Sequence, residues 1–139
     1  MKPILRASAI VVVTVIAAMS GCSRPTEISV KLSGDQEVPP VQTLASGTGT
    51  FTLKDDMSLS GGVKTEGIQG TAAHVHQGAP GTNGGVEVPL IKHGENEWVV
   101  PPDTKLTTVQ MNALDAGDLY VNVHSDAYPG GEIRGQLKK

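Results

Sequence analysis

Between residues 28 and 137 the chain is made of short runs in which apolar and polar residues alternate, each run closed by Gly, Pro or Asp. Alternation with a period of two puts successive side chains on opposite faces of a strand. A helix needs its apolar residues every three to four positions instead. Runs of this kind cover residues 28–32, 47–54, 57–64, 72–78, 86–91, 97–100, 119–124 and 132–137. Asp55-Asp56 suits a hairpin turn between the second and third runs, and residues 92–96 turn the chain between the fifth and sixth. Residues 37–41 contain Pro39 and Pro40, which donate nothing to a ladder, so this stretch is predicted to be an edge or a connection. One helix interrupts the series. Thr107 with Gln110 fits a capping box, Leu106 and Met111 fit a hydrophobic staple, and Gly117 supplies the stop. Short strands, frequent Gly turns and one brief helix predict an all-β fold, a Greek-key antiparallel β-sandwich with one short helix.

The first 21 residues read differently. Lys2 and Arg6 precede an apolar stretch from Ala7 to Ala18 that is short for a membrane span, the pattern of a signal peptide. Met19-Ser20-Gly21-Cys22 resembles a bacterial lipobox, with Cys22 as the lipid-modified first residue; an ordinary secretory signal followed by a free thiol is the alternative. This gives a lipoprotein signal over residues 1–21, the lipidated Cys22 and a tether over 22–27, and one domain over 28–139. The expected location is the cell envelope, anchored by lipid at the periplasmic face of an outer membrane or the extracellular face of a cell membrane. Cys22 is the only cysteine, so no disulfide forms within the domain and its stability must come from packing and hydrogen bonds. Without the signal, nine Lys and Arg face 14 acidic residues, a balance that argues against nucleic acid as a partner.

Four histidines carry the chemical interest. His74 and His76 stand at i and i+2 in a predicted strand, so both rings emerge on one side while Ala73 and Val75 turn to the other. In the 119–124 strand, His124 shares a face with Tyr120 and Asn122, opposite Leu119, Val121 and Val123. If the two strands pair, their imidazoles converge on the polar side of the sheet and can hold a metal ion. His93 is a weaker candidate ligand, because a turn with Lys92, Glu95 and Asn96 suits a solvated histidine equally well. A set of imidazoles without thiolate suits copper, and zinc fits the same donors. A strand with a merely polar face would also produce His-x-His.

Several blocks together carry a resemblance. Glu37-Val38-Pro39-Pro40, the Gly-x-Gly-x-Phe run from Gly47 to Phe51, Ala73-His74-Val75-His76-x-Gly with Asn83-Gly84, and Leu119-Tyr120-Val121-Asn122-Val123-His124 followed by Tyr128-Pro129-Gly130-Gly131-Glu132-Ile133-Arg134 resemble the CHRD domain, named after chordin. In chordin that domain belongs to an extracellular protein that binds growth factors; in bacteria it occurs as a secreted or lipid-anchored single domain. The order His74, His76, His93, His124 also resembles that of copper-zinc and copper-only superoxide dismutases, although the cysteine pair and the zinc loop of the copper-zinc enzymes are missing. That second resemblance implies a copper-dependent superoxide dismutase with superoxide as substrate and Arg134 guiding the anion. Two other roles stay open: a metal buffer or carrier without turnover, and an extracellular protein-binding or adhesion module whose partner the sequence does not name.

Overall fold

The alternating runs pair with one another, all antiparallel, in a computed structural model that describes residues 24–139. The expected signal peptide and the Cys22 lipidation site lie outside the described residues. The strands are β1 (Thr26–Ser33), β2 (Ser46–Leu53), β3 (Leu59–Glu66), β4 (Gly70–Gln77), β5 (Val86–Pro89), β6 (Ile91–Lys92), β7 (Glu97–Val99), β8 (Leu119–Ser125) and β9 (Ile133–Leu137), with α1 (Thr108–Ala116) before β8 and a 3-10 turn at Gly34–Gln36. The third strand starts later than the sequence suggests. Met57 takes a left-handed turn conformation (φ 65°) after Asp55-Asp56, and Asp56 Oδ1 accepts from the Ser58 amide at 3.1 Å.

The sheet runs in the order β5-β4-β8-β9-β1-β2-β3-β7-β6. Its two outermost strands are halves of one segment, since β5 ends at Pro89 and β6 begins at Ile91. Leu90 between them donates its N–H to Ala73 O at 2.9 Å, and Lys92 Nζ donates to Gly70 O at 3.0 Å. The single run predicted over 86–91 therefore bends at Pro89, one half pairing with β4 and the other with β7, so the sandwich closes into a flattened barrel with no free edge there. β8 crosses back to lie beside β4 while β4, β5–β6 and β7 follow one another around the wall, which is Greek-key order.

The inward-facing residues of every strand fill the interior: Ile28, Val30 and Leu32 from β1, Phe51 and Leu53 from β2, Leu59 and Val63 from β3, Ala73 and Val75 from β4, and Val121, Val123, Ile133 and Leu137 from β8 and β9. These are the apolar members of the alternating runs. Helix α1 closes one end with Ala113 and Leu114 buried, and the capping box that starts it is as expected. Thr107 Oγ1 accepts from Gln110 N at 3.2 Å, the Gln110 side chain accepts from Thr107 N at 2.8 Å, and Met111 packs against the core that holds Leu106. Gly117 ends the helix in the left-handed conformation (φ 78°). Among the described residues no helix is long and apolar enough to cross a membrane. Replacing the cap, Thr107→Ala, is expected to lower unfolding free energy by about 1 kcal/mol, read by urea titration, because one orphan helix N–H loses its acceptor.

Candidate metal centre

Strand register brings the histidines together. In the β4–β8 pair, His74 lies opposite Asn122 and His76 opposite Tyr120, and Ala72 lies opposite His124 in the same register, which shifts only beyond it, where Gly70 faces Ser125. Residues directly opposite share a face, so His74, His76, Tyr120, Asn122 and His124 all project from the side away from the core. On the far side of β8, β9 adds Arg134 opposite Asn122 and Gln136 opposite Tyr120. This face does not meet water as the sequence suggests. Residues 78–85, the 34–43 connection and the 125–132 turn lie against it, leaving His76 8% and His124 9% exposed, with His74 half-buried. Every residue of β8 is buried, apolar side chains on one face and polar ones on the other.

His74 Nδ1 and His124 Nε2 are 3.0 Å apart, and one donor nitrogen from each of His74, His76 and His124 can be chosen with none more than 4.8 Å from another. With metal–nitrogen bonds of about 2.0 Å, two ligands of a tetrahedral ion stand roughly 3.3 Å apart. The first pair already has that spacing, and a ring movement of roughly an ångström would bring in the third.

Backbone carbonyls set which nitrogens are available. His76 Nδ1 is 3.0 Å from Gly84 O, and His124 Nδ1 is 2.9 Å from Pro129 O. A carbonyl only accepts, so each Nδ1 carries the proton and each Nε2 keeps its lone pair. The lone pair of His124 faces His74, while His76 Nε2 is buried with no hydrogen-bond partner. Burial pulls the pKa of His74 below the usual imidazole value, and the neighbouring His124 and His76 add to the effect. His124 is also lowered by burial, against the raising influence of the Pro129 carbonyl. Both rings are thus uncharged at neutral pH, the state that can ligate.

Two expected participants stand elsewhere. His93 is exposed in the turn between β6 and β7, its N–H donating to Glu97 O at 2.8 Å. It lines a separate cleft of about 580 Å³ with Ser46, Lys64 and Glu95, and it does not join the other three histidines. The bend at Pro89 turns β6 onto β7, so the turn that follows sets His93 beside Ser46 of β2 and Lys64 of β3. Arg134 is 1% exposed, so it does not face incoming anions. Its guanidinium donates to Thr82 O at 2.8 Å, Ala79 O at 3.2 Å and Gln136 Oε1 at 3.1 Å, and stacks 3.5 Å over the Tyr120 ring. Glu132, two residues before Arg134, does not pair with it but accepts from Thr43 Oγ1 at 2.7 Å and from Ser125 Oγ at 2.5 Å.

Glu37 was not singled out by sequence. It is 5% exposed beneath the 34–43 connection, and burial raises its pKa to about 7 against the lowering influence of the Arg134 charge and an Asn122 hydrogen bond. Glu37 Oε1 and Asn122 Oδ1 are both buried without a partner. A proton on the carboxyl would give Glu37 a donor of its own. Gly131, with φ 126°, leaves room for this pair, since a Cβ there would stand 2.6 Å from Glu37 Oε1. Pro-Pro after Glu37 hinted at a connection, but no local pattern says that a carboxyl is folded beneath it.

A model of the CHRD domain matches residues 28–137, from the third residue of β1 to the end of β9. The chain belongs to the CHRD-domain family. No curated protein and no solved structure matches it. The match covers every strand that supplies the centre, so the three histidines are part of this CHRD domain rather than of an appended segment.

The raised pKa of Glu37 has a signed consequence for the CHRD domain. Between about pH 4.5 and 7 the folded state holds a proton that the unfolded state has released, so this group's contribution to stability falls as pH rises through that window. Glu37→Gln is expected to remove the effect. The unfolding free energy of the variant relative to the parent should increase by up to about 3 kcal/mol between pH 4.5 and 8 in denaturant titrations.

Proposed function

We propose that this CHRD domain is a metal-binding module of the cell envelope, tethered through lipid on Cys22, and that copper is its metal. The observation that carries the reading is the buried, unpartnered Nε2 of His76, facing the two further imidazole nitrogens of His74 and His124. A polar strand face without a ligand would leave no reason to bury an imidazole acceptor unpaired, since that costs roughly 1–3 kcal/mol. Three imidazoles and no thiolate form a set that takes Cu(II) more tightly than Zn(II) in the general order of divalent affinities. Three protein ligands also leave room for a fourth, on the half-exposed side of His74. The envelope location is supported by Lys2, Arg6, the apolar stretch to Ala18 and the Met19-Ser20-Gly21-Cys22 run.

Holding copper, as a buffer or carrier, is favoured over superoxide turnover by a specific observation. The guanidinium of Arg134, expected to draw the anion in, is spent on loop carbonyls and a tyrosine ring. Copper held by His74, His76 and His124 would supply one-electron redox chemistry, so superoxide turnover by the copper-loaded domain is a direct comparison between the two roles.

Purified from its own compartment, the protein is expected to carry close to one metal ion per chain, with an electron paramagnetic resonance spectrum of Cu(II) ligated by nitrogen. His76→Ala and His124→Ala should each weaken binding by at least about a hundredfold, since losing a ligand costs no less than losing its outer support. Protein that retains neither copper nor zinc after equilibration with each would contradict the reading.

A further inference from the structure

We infer that Tyr120 and Arg134 are positioning residues for the metal centre, acting through the 78–85 loop that holds His76. The inference rests on the metal-binding reading above and assigns a role to the most deeply buried charged side chain in the domain.

The loop contributes the acceptor for His76, the Gly84 carbonyl at 3.0 Å. It contains Gly78, Gly81, Gly84 and Gly85 and no regular structure, so its own backbone does little to fix that carbonyl. Side chains from β8 and β9 do it instead. Tyr120 Oη accepts from Gly84 N at 3.1 Å, gripping the same residue whose carbonyl faces the ring. Arg134 donates to the carbonyls of Ala79 and Thr82, and Gln136 Nε2 donates to Gly78 O at 2.7 Å. Asn83 Nδ2 ties the loop to Val38 O at 2.7 Å.

The same residues hold the ring from the side. The Tyr120 ring lies parallel to His76, with centroids 4.9 Å apart and an interplanar angle of 4°. Because β4 and β9 flank β8, His76 and Arg134 approach Tyr120 from opposite sides. A stacked, hydrogen-bonded imidazole keeps one tautomer and one direction for its lone pair, which is what a ligand supported from behind requires. Free imidazole has no such restriction, so releasing the loop would let the His76 proton redistribute between its nitrogens.

Tyr120→Phe removes the Gly84 contact and leaves the aromatic ring. Arg134→Lys keeps the charge but loses the planar fork that reaches two carbonyls. For each, ¹⁵N chemical shifts of the His76 ring in metal-free protein report the tautomer, competition titration with Cu(II) reports affinity, and circular dichroism reports folding. The expected result is a folded Tyr120→Phe protein with roughly tenfold weaker copper binding and a His76 pattern shifted away from pure Nδ1–H. Should Arg134→Lys fail to fold, Tyr120→Phe decides alone. An unchanged His76 tautomer together with unchanged affinity in folded Tyr120→Phe would overturn the positioning role. A parent protein that binds no copper would instead overturn the metal-binding reading, while the tautomer measurement, which needs no metal, would still test the role of Tyr120.

Discussion

The pairing of β4 with β8 governs the rest, because a slip of one residue in that register would turn every side chain of a strand to the opposite face. With His74 opposite Asn122 and Ala73 opposite Val123, apolar residues of both strands enter the barrel interior and polar ones leave it. The hydrophobic core therefore enforces the histidine cluster: slipping the register would move Val75 and Val121, both fully buried, out of the core. At a typical 1.5–3 kcal/mol for each buried aliphatic side chain, that alternative is strongly disfavoured. The histidine cluster thus inherits its geometry from packing on the other side of the same sheet.

That arrangement creates a second buried layer of opposite chemistry. Arg134, Glu37, Asn122, Glu132, His76 and His124 are all buried, and most of their polar atoms are matched by backbone carbonyls and hydroxyls of the covering loops. In a buried polar layer, unmatched atoms identify where something is missing. Glu37 Oε1 would be matched by a proton on its own carboxyl, and His76 Nε2, within the histidine cluster, would be matched by a bound cation. The same burial that raises the pKa of Glu37 lowers those of His74 and His124, because desolvation disfavours whichever form is charged. Arg134 is the exception, and its several hydrogen bonds and the Tyr120 ring offset the cost of burying its charge.

Much of this was legible in the sequence, for definite reasons. The alternating runs gave the strands and their inward faces; Thr107, Gln110 and Gly117 gave the helix; the shared spacing of His74, His76 and His124 gave the cluster. What stayed hidden depends on contacts between segments distant in sequence. Nothing local to His93 tells that β6 pairs with β7 and sets it beside β2 and β3, and nothing local to Arg134 tells that the 78–85 loop will fold over its guanidinium. The groups that orient His76 and His124 are backbone carbonyls of Gly84 and Pro129, which have no side-chain signature. Closure of the barrel through the bend at Pro89 was similarly unreadable, since both halves of the 86–91 run share one alternation.

The account stands most directly on where a bound metal sits. A crystal grown with copper, with anomalous diffraction recorded on both sides of the copper absorption edge, locates the ion and its ligands in one experiment. The account predicts a single strong peak about 2 Å from Nδ1 of His74 and from Nε2 of His76 and His124, with the Gly84 and Pro129 carbonyls still on the Nδ1 atoms of His76 and His124. Copper found only at His93 or the chain terminus, with the other three imidazoles metal-free, would contradict it.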